Sequence, residues 1–395
     1  MDLKKKLKQF SNKNILLLQG PVGDFFWKVS RYLTNSNVYK INFNGGDFLF
    51  YPIRCINYRG DVNQIEEFYR YIFQTKNIQI IVMYNDCRKI HEIAIKIAKE
   101  MGIEVWIFEE GYIRPNFITF EKNGVNANST LPRDKDFYLK YSLKEFEPKR
   151  LSGTFSKMAF FAFLYWLFAF LLGWYFNNTI HHRSLKPFDF LPWILSLLRK
   201  YKYKFTEKKV NTKILSLQKK YFLAILQVYN DTQILCHYNK TIERFIEETI
   251  LSFANHAKAK SYLVFKHHPM DRGYRNYAKL IETLSLKFNV EGRVLYVHDL
   301  HLPTLLANAR GCVVINSTVG LSALYHNCPL KVVGKAFYDI DGLTYQGNLH
   351  FFWKECRSYK PSLRLHTRFR NYIIWKTQIN GSFYGDIYKD GKQSF

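Results

Sequence analysis

The chain has 395 residues, 47% hydrophobic and 17% aromatic, which excludes a disordered protein and suffices for two domains with separate cores. Its 58 lysines and arginines against 32 acids give a formal charge of +26, so its surface attracts anions such as nucleic acid, acidic lipid or a nucleotide substrate. Six scattered cysteines (Cys55, Cys87, Cys236, Cys312, Cys328, Cys356) form no C-x-x-C pair and read as reduced core residues, and the basic start lacks the apolar segment of a secretory signal, so a cytoplasmic location is expected.

Residues 14–18 read as a strand, followed by Gln19-Gly20-Pro21-Val22-Gly23 and a helix to about Leu33. The glycine spacing is not G-x-G-x-x-G, so a dinucleotide fingerprint is absent, although amides at the helix start can hold an anion. A second strand, 38–43, ends in Asn44-Gly45-Gly46-Asp47, and a third, 78–84, in Asn85-Asp86-Cys87-Arg88. A helix over 91–101 leads to a strand at 103–108 that stops in Glu109-Glu110-Gly111, with Arg114 just beyond. Strands that alternate with helices and end in polar or glycine residues predict a doubly wound parallel sheet, whose ligands lie beyond the strands' carboxyl ends. Gln19, Gly20, Asp47, Glu109 and Glu110 are therefore expected along one crevice, with Asp86, Arg88 and His91 beside them. One of the two glutamates is a candidate general base, while the plainer alternative is a loop ion pair with Arg114.

Residues 158–176 form a 19-residue run without a charge. Its length just suffices for a bilayer, but one crossing would put the two halves of the chain on opposite sides, so a single span is rejected if they share a site. A hydrophobic helix or hairpin lying in the membrane interface is expected instead. Residues 181–220 then carry eleven lysines and arginines against Asp189 and Glu207. An apolar segment beside a basic one is a two-signal arrangement for an anionic leaflet, and a solvated basic linker is the alternative. His181-His182-Arg183 has the charge to grip phosphate.

The second half repeats the alternation, with a strand at 221–228 running into Gln227-Val228-Tyr229-Asn230-Asp231, a helix over 241–257, and a strand at 262–266. That strand delivers Lys266-His267-His268-Pro269. A helix near 274–287, a strand at 294–297 and a short helix from Pro303 precede the strand at 312–315, which opens through Asn316-Ser317-Thr318 into a helix containing Gly320. Hydroxyls and amides at that helix start form a phosphate cradle. A last strand-like run, 330–333, and a basic helical tail over 362–376 complete the pattern. The expected domains are 1–150, an insert at 151–210, a second domain at 211–355, and a tail at 356–395 packing back toward the first. No Cys, His and Asp cluster has metal-ligand spacing.

Acids from one half, with a His-Pro pair and a Ser-Thr pair from the other, give the layout of a GT-B glycosyltransferase: two Rossmann-like domains facing across a cleft, here with a hydrophobic and basic helical insert between them. The triple Glu109-Glu110-Gly111, His268-Pro269 and Ser317-Thr318 resembles that of bacterial transferases using CMP-activated eight- or nine-carbon acid sugars. Together with Leu18-Gln19-Gly20-Pro21, Asn44-Gly45-Gly46-Asp47, residues 109–115, Lys266-His267-His268-Pro269 and Asn316-Ser317-Thr318-Val319-Gly320, it makes residues 14–384 resemble the capsule polysaccharide biosynthesis/export proteins of the KpsS/LipB type.

The resemblance implies a retaining β-Kdo transferase that moves Kdo from CMP-β-Kdo to a phosphatidylglycerol-type lipid, starting the poly-Kdo linker of a capsule. It implies phosphate binding by His268, Ser317 and Thr318, with Lys266, Pro269, Asn316 and Gly320 around them. Asp231 would be the nucleophile and Glu110 would assist proton transfer, with Glu109, Arg114, Gln19, Gly20 and Asp47 as further substrate-binding residues. Expected partners are CMP-Kdo, an anionic phospholipid, the inner face of the cytoplasmic membrane and other capsule assembly proteins. Neither nucleic acid, nor a metal, nor a cofactor is expected. The alternatives are a non-catalytic membrane-bound assembly component and an inverting CMP-sialic-acid-type transferase of the same fold.

Overall fold

The computed structural model describes residues 3–151, 154–177 and 191–385. Its strands are, in chain order, β1 (Asn14–Leu17), β2 (Asn37–Asn42), β3 (Cys55–Asn57), β4 (Ile80–Tyr84), β5 (Glu104–Glu110), β6 (Phe117–Lys122), β7 (Tyr221–Ile225), β8 (Tyr262–Lys266), β9 (Val294–Val297), β10 (Gly311–Val314), β11 (Leu330–Val332) and β12 (Gln378–Asn380). One sheet has the order β3-β2-β1-β4-β5-β6-β12, parallel from β3 to β5 and antiparallel from there. The other, β9-β8-β7-β10-β11, is parallel throughout. Each order reverses once, between β1 and β4 and between β7 and β10, so the chain holds two Rossmann-like sheets, each with its own switch point.

In the first sheet, alternate residues of one strand feed opposite cores, as parallel strands covered on both faces require. Leu16, Ile41, Ile81, Val105 and Ile107 pack under the helices Ile65–Thr75 and Lys89–Glu100. Ile15, Leu17, Val82, Phe108 and Phe120 face Phe25, Val29, Ile379 and Phe383. Helix Lys89–Glu100 buries Ile90, His91, Ala94, Ile97 and Ala98, an i, i+4, i+7 stripe. In the second sheet, Phe222, Ala224, Leu263, Phe265 and Val313 pack with helix Ile242–His256 and Trp353.

Contacts divide the chain differently from the boundaries at 150, 210 and 355. The first unit takes the described residues up to Thr130, from Lys144 to 177 and from Ile373 onward, and the second takes Leu131–Leu143 and 191 to Tyr372. The insert is therefore split, with helix Thr154–Leu171 in the first unit and helices Leu191–Thr206 and Lys208–Ser216 in the second. Residues 131–143 join the second unit because Tyr138 packs edge-on against Phe369 at 4.9 Å and Leu143 O accepts from Asn371 at 3.0 Å. The tail helix Leu363–Thr377 begins in the second unit and enters the first at Ile373, after which β12 pairs with β6.

Helix Thr154–Leu171 is long and apolar enough to cross a membrane, yet it is seated on the first unit by Tyr165 and Ala169, one turn apart. The seat exists because Gly45 and Gly46 bring no side chains where the short helix Gly45–Phe50 crosses the apolar one. A Cβ on Gly45 would lie 2.1 Å from the carbonyl oxygen of Phe168, and one on Gly46 2.6 Å from the Tyr165 ring.

Candidate functional site

In the first unit, Gln19-Gly20, Asp47, Asp86, Arg88 and the Glu109-Glu110 pair follow or end the neighbouring strands β1, β2, β4 and β5. Arg88 donates to Gln19 Oε1 at 2.6 Å, and Gln19 Nε2 donates to Asp47 Oδ2 at 3.2 Å and to the Tyr165 hydroxyl at 3.1 Å. Asn44 donates to that hydroxyl at 2.6 Å, and the hydroxyl in turn donates to Asp47 Oδ1 at 3.1 Å. Gln19, Asn44, Asp47 and Arg88 are all buried, and burial lowers the pKa of the Arg88 guanidinium. The strand-end polar residues thus form one network that also holds the apolar helix.

Glu109 is buried, accepting from Asn85 Nδ2 at 3.0 Å and from the Glu110 amide at 2.9 Å. Glu110 is half-buried, and among the described residues its carboxylate has no hydrogen bond or ion pair. Of the pair, Glu110 is therefore the one whose carboxylate is open to a ligand. The Tyr84 phenol beside both has its pKa raised, first by burial and then by Glu109 and Glu110. Gly111 is obligatory where the chain turns into β6, because a Cβ would stand 2.0 Å from Phe117 O. Arg114 is exposed, donates only to Gly111 O at 3.4 Å, and forms no ion pair with either glutamate among the described residues. Asp86 accepts from Val125 N and Asn128, and buried His91 donates from Nδ1 to Asn85 O at 2.6 Å, with burial pushing its pKa down to about 3. Both are thereby committed to holding loops.

In the second unit, the segments carrying His268, Asp231 and Asn316-Ser317-Thr318 follow β8, β7 and β10, three adjacent parallel strands. They share one edge of the sheet at its switch point, the place where doubly wound folds bind ligands. Asp231 caps helix Thr232–His237 through Gln233 N at 2.9 Å, and its other oxygen accepts from Gln227 Nε2 at 3.1 Å. Asn316 joins the β7 and β10 loops, donating its amide to Gln227 Oε1 at 3.3 Å and its side chain to Gln233 O at 3.1 Å. Ser317 Oγ accepts from Val319 N at 3.2 Å, and Ser317 O accepts from the Tyr338 hydroxyl. Gly320 makes room for that tyrosine, since a Cβ would lie 2.6 Å from it.

His268 is half-buried and its Nδ1 accepts from the Met270 amide at 3.2 Å, which puts the ring proton on Nε2. Pro269 starts the short 3-10 turn Pro269–Asp271. Lys266 is turned inward, donating to the backbone carbonyls of His267 and His298, and burial brings its amine down to about 8. The geometry gives Lys266 a scaffolding part behind the loop. Below it, buried His267 bonds the Tyr296 hydroxyl at 2.7 Å, and His298 bonds Glu207 at 2.5 Å while stacking on Tyr203 at 3.6 Å.

Sequence reasoning passed over Lys40, Tyr165, Tyr338, Glu207 and His298. Tyr165 and Lys40 carried a signal, as a hydroxyl inside an uncharged run and a lysine inside an apolar strand. His181-His182-Arg183 lies outside the described residues.

Residues 79–384 match the family model described as "Capsule polysaccharide biosynthesis protein". The chain is 43% identical over 394 residues to the "Capsule polysaccharide export protein KpsS" of Escherichia coli, covering 95% of this chain and 97% of that protein. It is 39% identical over 398 residues to the "Capsule polysaccharide modification protein LipB" of Neisseria meningitidis serogroup B, covering 97% and 94%. Among solved structures, the β-Kdo 2,7 transferase of Thermosulfurimonas dismutans KpsC aligns over 90% of this chain and 89% of its own, at 18% identity and a TM-score of 0.42.

Proposed function

The chain belongs to the capsule polysaccharide biosynthesis protein family, and from that premise we propose that it is a glycosyltransferase moving Kdo from CMP-Kdo to a phosphatidylglycerol-type lipid. The observation that carries the reading is the grouping of His268, Asp231 and Ser317-Thr318 on adjacent strand ends of the second sheet, with Asp231 held at both oxygens. His268 Nε2–H and the Ser317-Thr318 turn take the CMP phosphate, where a donated hydrogen bond stabilises the charge of the leaving group.

Retention follows from two displacements. Asp231 attacks the anomeric carbon of Kdo as its bond to CMP breaks, forming a glycosyl ester. The lipid hydroxyl then displaces Asp231 and gives its proton to a general base. No step needs a metal. Exposed Phe155, Phe160, Trp174, Leu197, Leu198 and Phe205, flanked by Lys157, Arg199, Lys200, Lys202 and Lys204, support peripheral attachment to an anionic membrane face.

The test is mass spectrometry of a fluorescent phosphatidylglycerol analogue incubated with the enzyme and CMP-Kdo. One added Kdo, lost in Asp231→Ala, is expected. Turnover by Asp231→Ala near the wild-type rate would remove the nucleophile assignment, and no addition by the wild-type enzyme would remove the reaction.

A further inference from the structure

Lys40 is a buried cation that the reaction does not use. Lys40, in β2, is 3% exposed and lines a small, partly open cavity in the first unit. Its ammonium makes one hydrogen bond, to Ile41 O, although it carries three donors. No carboxylate lies within ion-pair distance of it among the described residues, and Asp47, on the same cavity wall, acts on it only at longer range. Asp47 is otherwise engaged, accepting from Phe43 N at 3.0 Å and from Gln19 on Oδ2 and from Tyr165 on Oδ1. A buried, unpaired ammonium is costly to keep charged, and burial brings this one down to about 8. An anion in the cavity would pair with it.

The remaining walls point to the same kind of ligand. Helix Phe25–Tyr32 starts beside the glycine loop that lines the cavity, and Asp24 at its N-cap makes no side-chain bond to the first-turn amides, its charge being engaged by Lys28 at 3.1 Å. Those amides favour an anion. Phe26, Trp27 and Phe50 line the cavity too, and Phe50 packs at 5.1 Å against Phe161 of the apolar helix Thr154–Leu171. Cationic and amide donors beside an aromatic wall, next to an exposed apolar helix, match a phosphate ester that carries an apolar body.

We propose that this cavity binds the phosphate of a glycerophospholipid head group, with Lys40 as its counter-ion and the remaining lone pair of Asp47 Oδ1 accepting from a glycerol hydroxyl. The site rests on the reading that the acceptor is such a lipid, and it would hold the lipid by its phosphate while a hydroxyl reacts.

Calorimetric titration of the full chain with dihexanoyl-phosphatidylglycerol, without CMP-Kdo, tests it. Binding is expected, weakened at least tenfold in Lys40→Met, with inorganic phosphate far weaker than the lipid. Trp27→Ala, at the aromatic wall, should weaken the lipid but leave glycerol 1-phosphate unchanged, which keeps the test open if Lys40→Met does not fold. Lipid binding within twofold of wild type in a folded Lys40→Met would overturn the site, and Lys40-dependent inorganic phosphate binding as tight as the lipid's would overturn the lipid as its source. Lys40-dependent lipid binding without Kdo transfer would support the site and remove the reaction. Transfer with an unchanged lipid KM in Lys40→Met would do the reverse.

Discussion

Tyr165→Phe removes a single oxygen from the seat of the apolar helix. That hydroxyl accepts from Asn44 at 2.6 Å and Gln19 at 3.1 Å and donates to Asp47 at 3.1 Å. Gln19 keeps its bond to Asp47, but Asn44 Nδ2 and Asp47 Oδ1 lose their partner at a buried site. Each buried group left unsatisfied costs about 1–3 kcal/mol, so with two such groups the helix should lose about 2–6 kcal/mol of its hold on the first unit. The two units need not unfold together, so the measurement is local: amide hydrogen exchange along residues 154–171. At about 1.4 kcal/mol per factor of ten, protection there should fall at least roughly 30-fold, and up to about 20,000-fold. Tyr201→Phe, on a hydroxyl-bearing residue that is 66% exposed, should change stability by no more than about 0.5 kcal/mol. A change below about threefold along 154–171 in Tyr165→Phe would refute the seating of the helix through this hydroxyl.

Gly320→Ala puts a methyl 2.6 Å from Tyr338 and drives that ring off Ser317 O, so in the proposed reaction the KM for CMP-Kdo should rise several-fold with a smaller change in kcat. An unchanged KM would separate Ser317 from donor binding. Burial raises the Glu121 carboxyl from 4.5 to about 7. Between those values the folded chain keeps a proton that the unfolded chain releases, so the fold weakens as pH rises through that window, by about 3 kcal/mol from this group. Glu121→Gln should flatten that fall when urea midpoints are compared at pH 4.5 and 7.5, and an equal slope in both proteins would contradict the assignment. Flotation with anionic liposomes should retain the wild-type chain and lose much of Trp174→Ser/Leu198→Ser/Phe205→Ser, whose side chains are 82%, 62% and 63% exposed. Equal flotation would dismiss these helices as the membrane contact.

Most strands were legible because apolar runs that stop at Gly, Asn or Glu have few other uses. The short strands β3 and β12 carry too few residues to show an alternation, and β6 was passed over although Gly111 and Pro115-Asn116 set it off from β5. Gln19, Asp47 and Asp231 were singled out because they follow strands. Lys40 and Tyr165 escaped because sequence records a residue's type but not the face it takes, and only the Gly45-Gly46 crossing turns Tyr165 toward Asp47. The plainer alternative for the glutamates, an ion pair with Arg114, rested on proximity along the chain, yet the Arg114 side chain is exposed and bonded to a carbonyl. Residues 131–143 are polar and aromatic in pattern, and nothing in that pattern distinguishes Phe369 from any other apolar partner.

The pairing of β12 with β6 has a consequence for how the protein is made. During synthesis, β1 to β6 leave the ribosome some 260 residues before Gln378, so the Phe117–Lys122 edge waits uncapped while the whole second sheet is translated. An open edge of this kind recruits other strands, its own or those of neighbouring chains. Termination before Gln378 would leave every strand of both parallel cores intact and still yield a chain prone to aggregate.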